Sequence, residues 1–133
     1  MELLEMLFAR AVTNDRRIVL PEGEAPEIVE AAFRAARQGL CRPILLGEEA
    51  QIRANCRQRG IPEEGWYVQV DPAVEDMDVP AAEMAKCSGM DEMTTRFLLE
   101  QPLYYAAMML RTGQADAMVA GYIADTEIGR AHV

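Results

Sequence analysis

Apolar residues recur along this chain at two periods, and the alternation between them lays out its elements. From residue 2 to residue 12, Leu3, Leu4, Leu7, Phe8 and Val12 fall at helical spacing, and Thr13, Asn14 and Asp15 break the pattern, so a leading helix is expected there. Arg17 to Leu20 is a short apolar run of strand length, stopped by Pro21, Glu22, Gly23 and Glu24. Pro26 then stands where the first turn of a helix tolerates proline. Ile28, Val29, Ala32, Phe33 and Ala36 make one apolar face that ends at Gly39. Pro43 to Leu46 is the next strand, and Gly47 introduces a polar helix from about Glu48 to Arg59, closed by Gly60. Trp66 to Val70 supplies a third strand before Asp71 and Pro72.

Helices are expected next from about Pro80 to Lys86, Asp91 to Glu100 and Pro102 to Arg111, the last with Gly113 as its stop. That last helix, Leu103 to Leu110, is apolar nearly all round, which predicts deep burial. Asp116 to Ala120 reads as a further strand ending at Gly121. Strand, helix, strand, helix, strand is the alternation of an α/β domain built on a parallel sheet.

Composition narrows the function classes. The 133 residues are half hydrophobic and a quarter charged, which suits one globular domain rather than a disordered chain. A net charge of -9 argues against a protein that tracks nucleic-acid phosphates, since such binding depends on Lys and Arg. Cys41, Cys56 and Cys87 are odd in number and too widely spaced for a disulfide framework or a CxxC metal site, so no metal is expected and the thiols read as packing or incidental residues. The apolar opening carries Glu2, Glu5 and Arg10 without the basic start and cleavage site of a secretory signal, and no stretch approaches the roughly 18 apolar residues of a membrane span. A soluble cytoplasmic protein is the expectation, with neither nucleic acid nor membrane as partner.

General chemical motifs are missing: no GxGxxG, Walker A, HExxH or GxSxG pattern occurs. Ligands of α/β proteins bind at the loops that follow parallel strands, which singles out Pro21-Glu22-Gly23-Glu24, Gly47 and the stretch from Gly121. The alternative for Glu22 and Glu24 is a solvated turn with favourable charge near a helix N-terminus. For Tyr104, Tyr105, Met108 and Met109 the alternative is core packing.

Two blocks carry a family resemblance. RIVLPEGEAPEIVEAAFRAARQGLCRPILLG resembles the opening of the phosphate acetyl/butyryl transferase family, in which a first strand ends in a Pro-Glu-x-Glu turn and a helix ends at a glycine before a Pro-Ile-Leu-Leu-Gly strand. PLYYAAMMLRTGQADAMVAG resembles a second block of the same family, in the right order and at the right separation. The similarity runs from about residue 1 to Thr126. It implies a three-layer α/β/α sandwich with a mainly parallel sheet, of the isocitrate-dehydrogenase-like kind and truncated here, in a protein whose active site lies between two domains. It further implies transfer of an acyl group between coenzyme A and phosphate, with coenzyme A, acyl phosphate and phosphate as partners, no separate cofactor, and a homodimer for the intact protein. The Ser, Arg and Asp that the family uses for the reaction lie in its later half, so no catalytic residue is assigned in this chain. Glu22, Gly121, Asp125 and Thr126 are the expected substrate-binding residues.

Two departures stand out. Ala85 occupies the position of an Arg that many members have in a Glu-Leu-Arg-Lys segment linked to coenzyme A binding, the chain here reading Glu83-Met84-Ala85-Lys86. The family's loop of the His-Ser-x-x-Asp-Thr-Leu-Arg kind is shortened to Gly121-Tyr122-Ile123-Ala124-Asp125-Thr126 and lacks its His. Residues 127–133, Glu-Ile-Gly-Arg-Ala-His-Val, correspond to the sequencing-adapter DNA AGATCGGAAGAGCACACGTCTGA read in frame after one preceding G, with TGA as the stop. The expected division is therefore a family segment, 1–126, and an artefactual tail, 127–133, that contains the sole histidine, His132. Another function class is a noncatalytic acyl-CoA-sensing domain, as in some malic enzymes. A long dehydrogenase portion upstream would distinguish it.

Overall fold

A computed structural model describes residues 15–121. The expected leading helix, Asp125, Thr126 and the 127–133 segment lie outside the described residues. Four parallel strands, β1 (Arg17–Leu20), β2 (Arg42–Leu46), β3 (Val68–Val70) and β4 (Ala117–Met118), form a sheet in the order β3-β2-β1-β4. Five helices join them: α1 (Pro26–Arg37), α2 (Glu49–Gln58), α3 (Asp78–Ser88), α4 (Glu92–Leu99) and α5 (Pro102–Arg111).

The layering follows from the two-residue period of the strands. Leu20 and Leu45 point to one face, where they pack with Val29 and Ala32 of α1 and with Ile52 and Cys56 of α2. Val19, Ile44 and Leu46 point to the other, against Ala81 and Met84 of α3, Leu99 of α4, and Tyr105, Ala106, Met108 and Met109 of α5. Buried on both faces, the central strands read as continuous apolar runs rather than as alternating ones. The result is the three-layer α/β/α sandwich with a parallel sheet.

Boundaries differ from the sequence reading where side chains take over from the ladder. The third strand begins at Val68 rather than Trp66, because the Trp66 indole donates to the Pro62 carbonyl (2.6 Å) and the Tyr67 hydroxyl to the Glu63 carbonyl (2.6 Å), tying both rings back into the preceding turn. Asp91 caps α4, its carboxylate accepting from the Thr94 amide at 2.7 Å. Deep burial of α5 along its whole girth is not observed: Tyr105, Ala106, Met108 and Met109 are buried, whereas Tyr104 and Ala107 are exposed on the side away from the sheet. Met93 and Phe97, one turn apart on α4, are exposed as well. Of the three thiols, Cys56 is buried, Cys41 half-buried and Cys87 exposed, and all are free. No helix among the described residues is long and apolar enough to cross a membrane.

The β1–β4 pair is fastened at its start by a forked ion pair. Arg17 Nε lies 3.1 Å and Nη2 3.2 Å from the Asp116 carboxylate, the Arg17 amide donates to the same carboxylate at 2.8 Å, and Nη2 also reaches the Gly113 carbonyl at 2.8 Å. These donors, the guanidinium first, hold the Asp116 carboxyl down at about 2. A carboxyl with a lowered folded-state pKa favours the folded state above its unfolded value, near 3.8, and loses that contribution as the pH falls through about 2. Thermal melts of the chain and of Asp116→Asn should therefore differ at pH 5 and converge between about pH 4 and pH 2. A gap that stays constant over that range would place the effect elsewhere than in this carboxylate.

Candidate functional site

The strand order fixes where a ligand can enter. From β1 the chain crosses to β2 on one side, while β4 lies on the other, so the strand order reverses between β1 and β4. In open parallel sheets the crevice outside such a reversal is where ligands bind. Two of the expected site residues stand at its rims: Glu22 in the loop after β1 and Gly121 after β4. They meet directly, the Gly121 amide donating to Glu22 Oε1 at 2.9 Å across 99 residues of chain.

The turn that presents Glu22 is built by close packing. Gly23 sits so tightly on β2 that a Cβ there would lie 2.6 Å from the Leu46 oxygen and 2.8 Å from its nitrogen. The Ala25 amide returns to the Glu22 carbonyl at 3.1 Å and closes the turn before α1. Glu24 turns the other way, its Oε2 accepting from the Glu48 amide at 2.8 Å where α2 begins. Gly47 completes that contact: its φ is +144°, and a Cβ would fall 2.5 Å from Glu24 Cγ. The alternative of a solvated turn with charge near a helix N-terminus fits Glu24, which is exposed and accepts at the start of α2, but not Glu22, which is half-buried and bonded to the loop after β4.

Two further residues in this scaffold escaped the sequence reading. Asn55 is buried on α2 and donates from Nδ2 to the Glu24 carbonyl at 2.7 Å, with Gln51 Nε2 donating to its Oδ1 at 3.2 Å. Gln69 Nε2 donates to the Gly47 carbonyl at 2.6 Å. A signal existed for Asn55: it stands three residues after Ile52 and just before Cys56, on the one apolar stripe of a polar helix, where a poor helix former needs a reason.

The electrostatics of this end of the sheet are acidic. Its described loops carry Glu22, Glu24, Glu48, Asp71, Glu75 and Asp76 and no Lys, Arg or His. Cations are engaged elsewhere: Arg17 at the opposite ends of the strands, Arg53, Arg57 and Arg59 with Glu49, Glu63, Glu64, Glu27 and Glu30, Arg96 with Asp78 and Glu92, and Arg111 with Glu83. Ala85 is partly buried on α3 and Lys86 is exposed beside it. A shallow depression of about 210 Å³ opens between Glu75, Asp76, Tyr105, Met108 and Thr112. It too is acidic, and it is lined by the β3–α3 loop, the start of α3, and α5 with the turn that follows it. Among the described residues, the loops at the crevice thus offer backbone donors and carboxylates, and no cationic side chain.

Comparison with known proteins gives a consistent set of likenesses. Residues 2–128 match the family described as phosphate acetyl/butaryl transferase. The sequence is 32% identical over 129 residues to the phosphate acetyltransferase of Acetivibrio thermocellus, covering 95% of this chain and 38% of that protein. It is 34% identical over 113 residues to the phosphate acetyltransferase of Escherichia coli strain K12, covering 84% of this chain and 16% of that one. The fold superposes on the crystal structure of a phosphotransacetylase from Streptococcus pyogenes with a TM-score of 0.83 and 28% identity, over 92% of this chain and 38% of that one. The chain spans well under half the length of the relatives it matches.

Proposed function

The chain belongs to the phosphate acetyl/butyryl transferase family, and from that premise we propose that it forms one part of a cytoplasmic phosphate acyltransferase that moves a short acyl group between coenzyme A and phosphate. The observation that carries the reading is a family match over nearly the entire chain, residues 2–128. In the reaction, the coenzyme A sulfur attacks the acyl carbonyl carbon of an acyl phosphate. The carbon–sulfur bond forms, the bond to the phosphate oxygen breaks, phosphate leaves, and a base accepts the thiol proton. Cationic or hydrogen-bonding groups must offset the charge on the phosphate as this happens.

On this reading the labour is divided. The carboxylate-lined loops described above give one wall of the crevice, and the phosphate clamp and thiol base come from the part of the protein outside the described residues. Free thiols at Cys41, Cys56 and Cys87 suit a reducing compartment. Homodimeric assembly of the longer protein belongs to the same reading.

The test is to join residues 1–126 to the remaining portion of the Acetivibrio thermocellus relative and to follow loss of coenzyme A thiol with acetyl, propionyl and butyryl phosphate. Turnover of at least one of these is expected. A folded splice that consumes none of them would refute the assignment. In the same protein, Ala85→Arg should lower the KM for coenzyme A roughly fivefold with kcat little changed, as one added charge-assisted contact of about 1 kcal/mol would do. An unchanged KM would remove position 85 from coenzyme A recognition.

A further inference from the structure

We propose that Glu22 is a positioning residue: its carboxylate holds the Gly121 amide and thereby fixes the end of β4 at the rim of the crevice, so that Glu22 acts on the reaction through that contact and not by touching substrate. The role in the reaction rests on the acyltransferase reading, whereas the brace itself stands on geometry. Glu22 is half-buried, and its Oε1 accepts the Gly121 N–H at 2.9 Å. The donor is the last described residue after β4, beside β1, where the strand order reverses. Gly121, the residue the carboxylate grips, has a φ of +109°, a region that favours glycine.

The other end of the brace is rigid. Gly23 is pressed onto the β2 backbone, Pro21 is buried, and the turn is held from α2 by Asn55 through the Glu24 carbonyl. A carboxylate on so fixed a base can transmit position, and a charged acceptor makes a shorter, stronger hydrogen bond than a neutral one. β4 needs such help because its pairing with β1 is short, with register given at Ile18 with Ala117 and Val19 with Met118. The ladder's last hydrogen bond, from the Val119 amide to the Val19 carbonyl at 3.1 Å, leaves Ala120 and Gly121 to be placed by Glu22. Asp125 and Thr126, the expected substrate-binding residues, follow within five positions.

The experiment needs no ligand, so it separates this proposal from the acyltransferase reading. The Gly121 amide proton of the ¹⁵N-glycine-labelled 133-residue chain should resonate downfield at neutral pH and move upfield in a single titration as Glu22 protonates. Glu22→Gln, which keeps an acceptor oxygen, should hold the amide near its native position. Glu22→Ala should shift it upfield and speed its hydrogen exchange at least tenfold, while the Val19 and Leu45 amides of the sheet keep their native exchange. The wild-type titration decides the matter even if the alanine variant does not fold. A Gly121 resonance that is absent or insensitive to pH would overturn the proposal, as would equal disruption by Gln and Ala. If the brace is present but the spliced enzyme shows no acyl transfer, the acyltransferase reading alone has failed.

Discussion

Replacing Gly23 by alanine should lower the stability of this chain by about 2–3 kcal/mol, and replacing it by valine should abolish the native fold. The reason is a contact with main chain. A Cβ at Gly23 would stand 2.6 Å from the Leu46 oxygen, 2.8 Å from the Leu46 nitrogen and 3.0 Å from the Leu45 Cβ. Side chains can swing away from an intruding methyl, but these atoms belong to β2, which is paired on both edges. Relief therefore requires the whole Pro21 to Ala25 turn to lift off the sheet, which also draws Glu22 away from Gly121 and Glu24 away from Glu48. Gly39 supplies the control. Its φ is +74° and a Cβ there meets nothing within 4 Å, so Gly39→Ala costs only the backbone strain, on the order of 1 kcal/mol. Urea unfolding should show a clearly larger fall in midpoint for Gly23→Ala than for Gly39→Ala at similar slope. Equal midpoints would mean that the turn does not press on the sheet.

The same turn shows what the sequence could and could not convey. Helix α1 was legible at both ends, because Pro26 in the first turn, an apolar face and Gly39 with positive φ are local signals. The parallel sheet was legible from the alternation of elements, and the positions of Glu22 and Gly121 from their place after strands. Their pairing was not, since it depends on β4 lying beside β1, which no local pattern specifies. α5 was over-read: a helix apolar all round predicts cover on all sides, yet among the described residues only the flank carrying Tyr105, Ala106, Met108 and Met109 is covered. Asn55 is legible only as an amide on the apolar stripe of a polar helix, and the turn it supports is set by tertiary structure. Asp125 and Thr126 lie beyond the described residues, and Glu22 takes a different proposed role from the one first expected of it.

The central claim is a division of labour, in which this chain supplies a wall and a brace while the reacting groups come from the rest of a longer phosphate acyltransferase. It is tested most directly by a thiol-loss assay with acetyl phosphate and coenzyme A, run side by side on the 133-residue chain and on its splice to the Acetivibrio thermocellus relative. The described loops at the carboxyl ends of the strands hold carboxylates and no Lys, Arg or His, so no side-chain cation in them offsets a phosphate's charge. Removing even one electrostatic donor from an acyl-transfer site costs about 10²–10³ in rate, so a chain working without the cations of the rest of the protein is expected to fall to background. The account predicts thiol loss by the splice and, for the chain alone, a rate indistinguishable from the protein-free control at any protein concentration. Robust turnover by the chain alone, rising in proportion to its concentration, would contradict it.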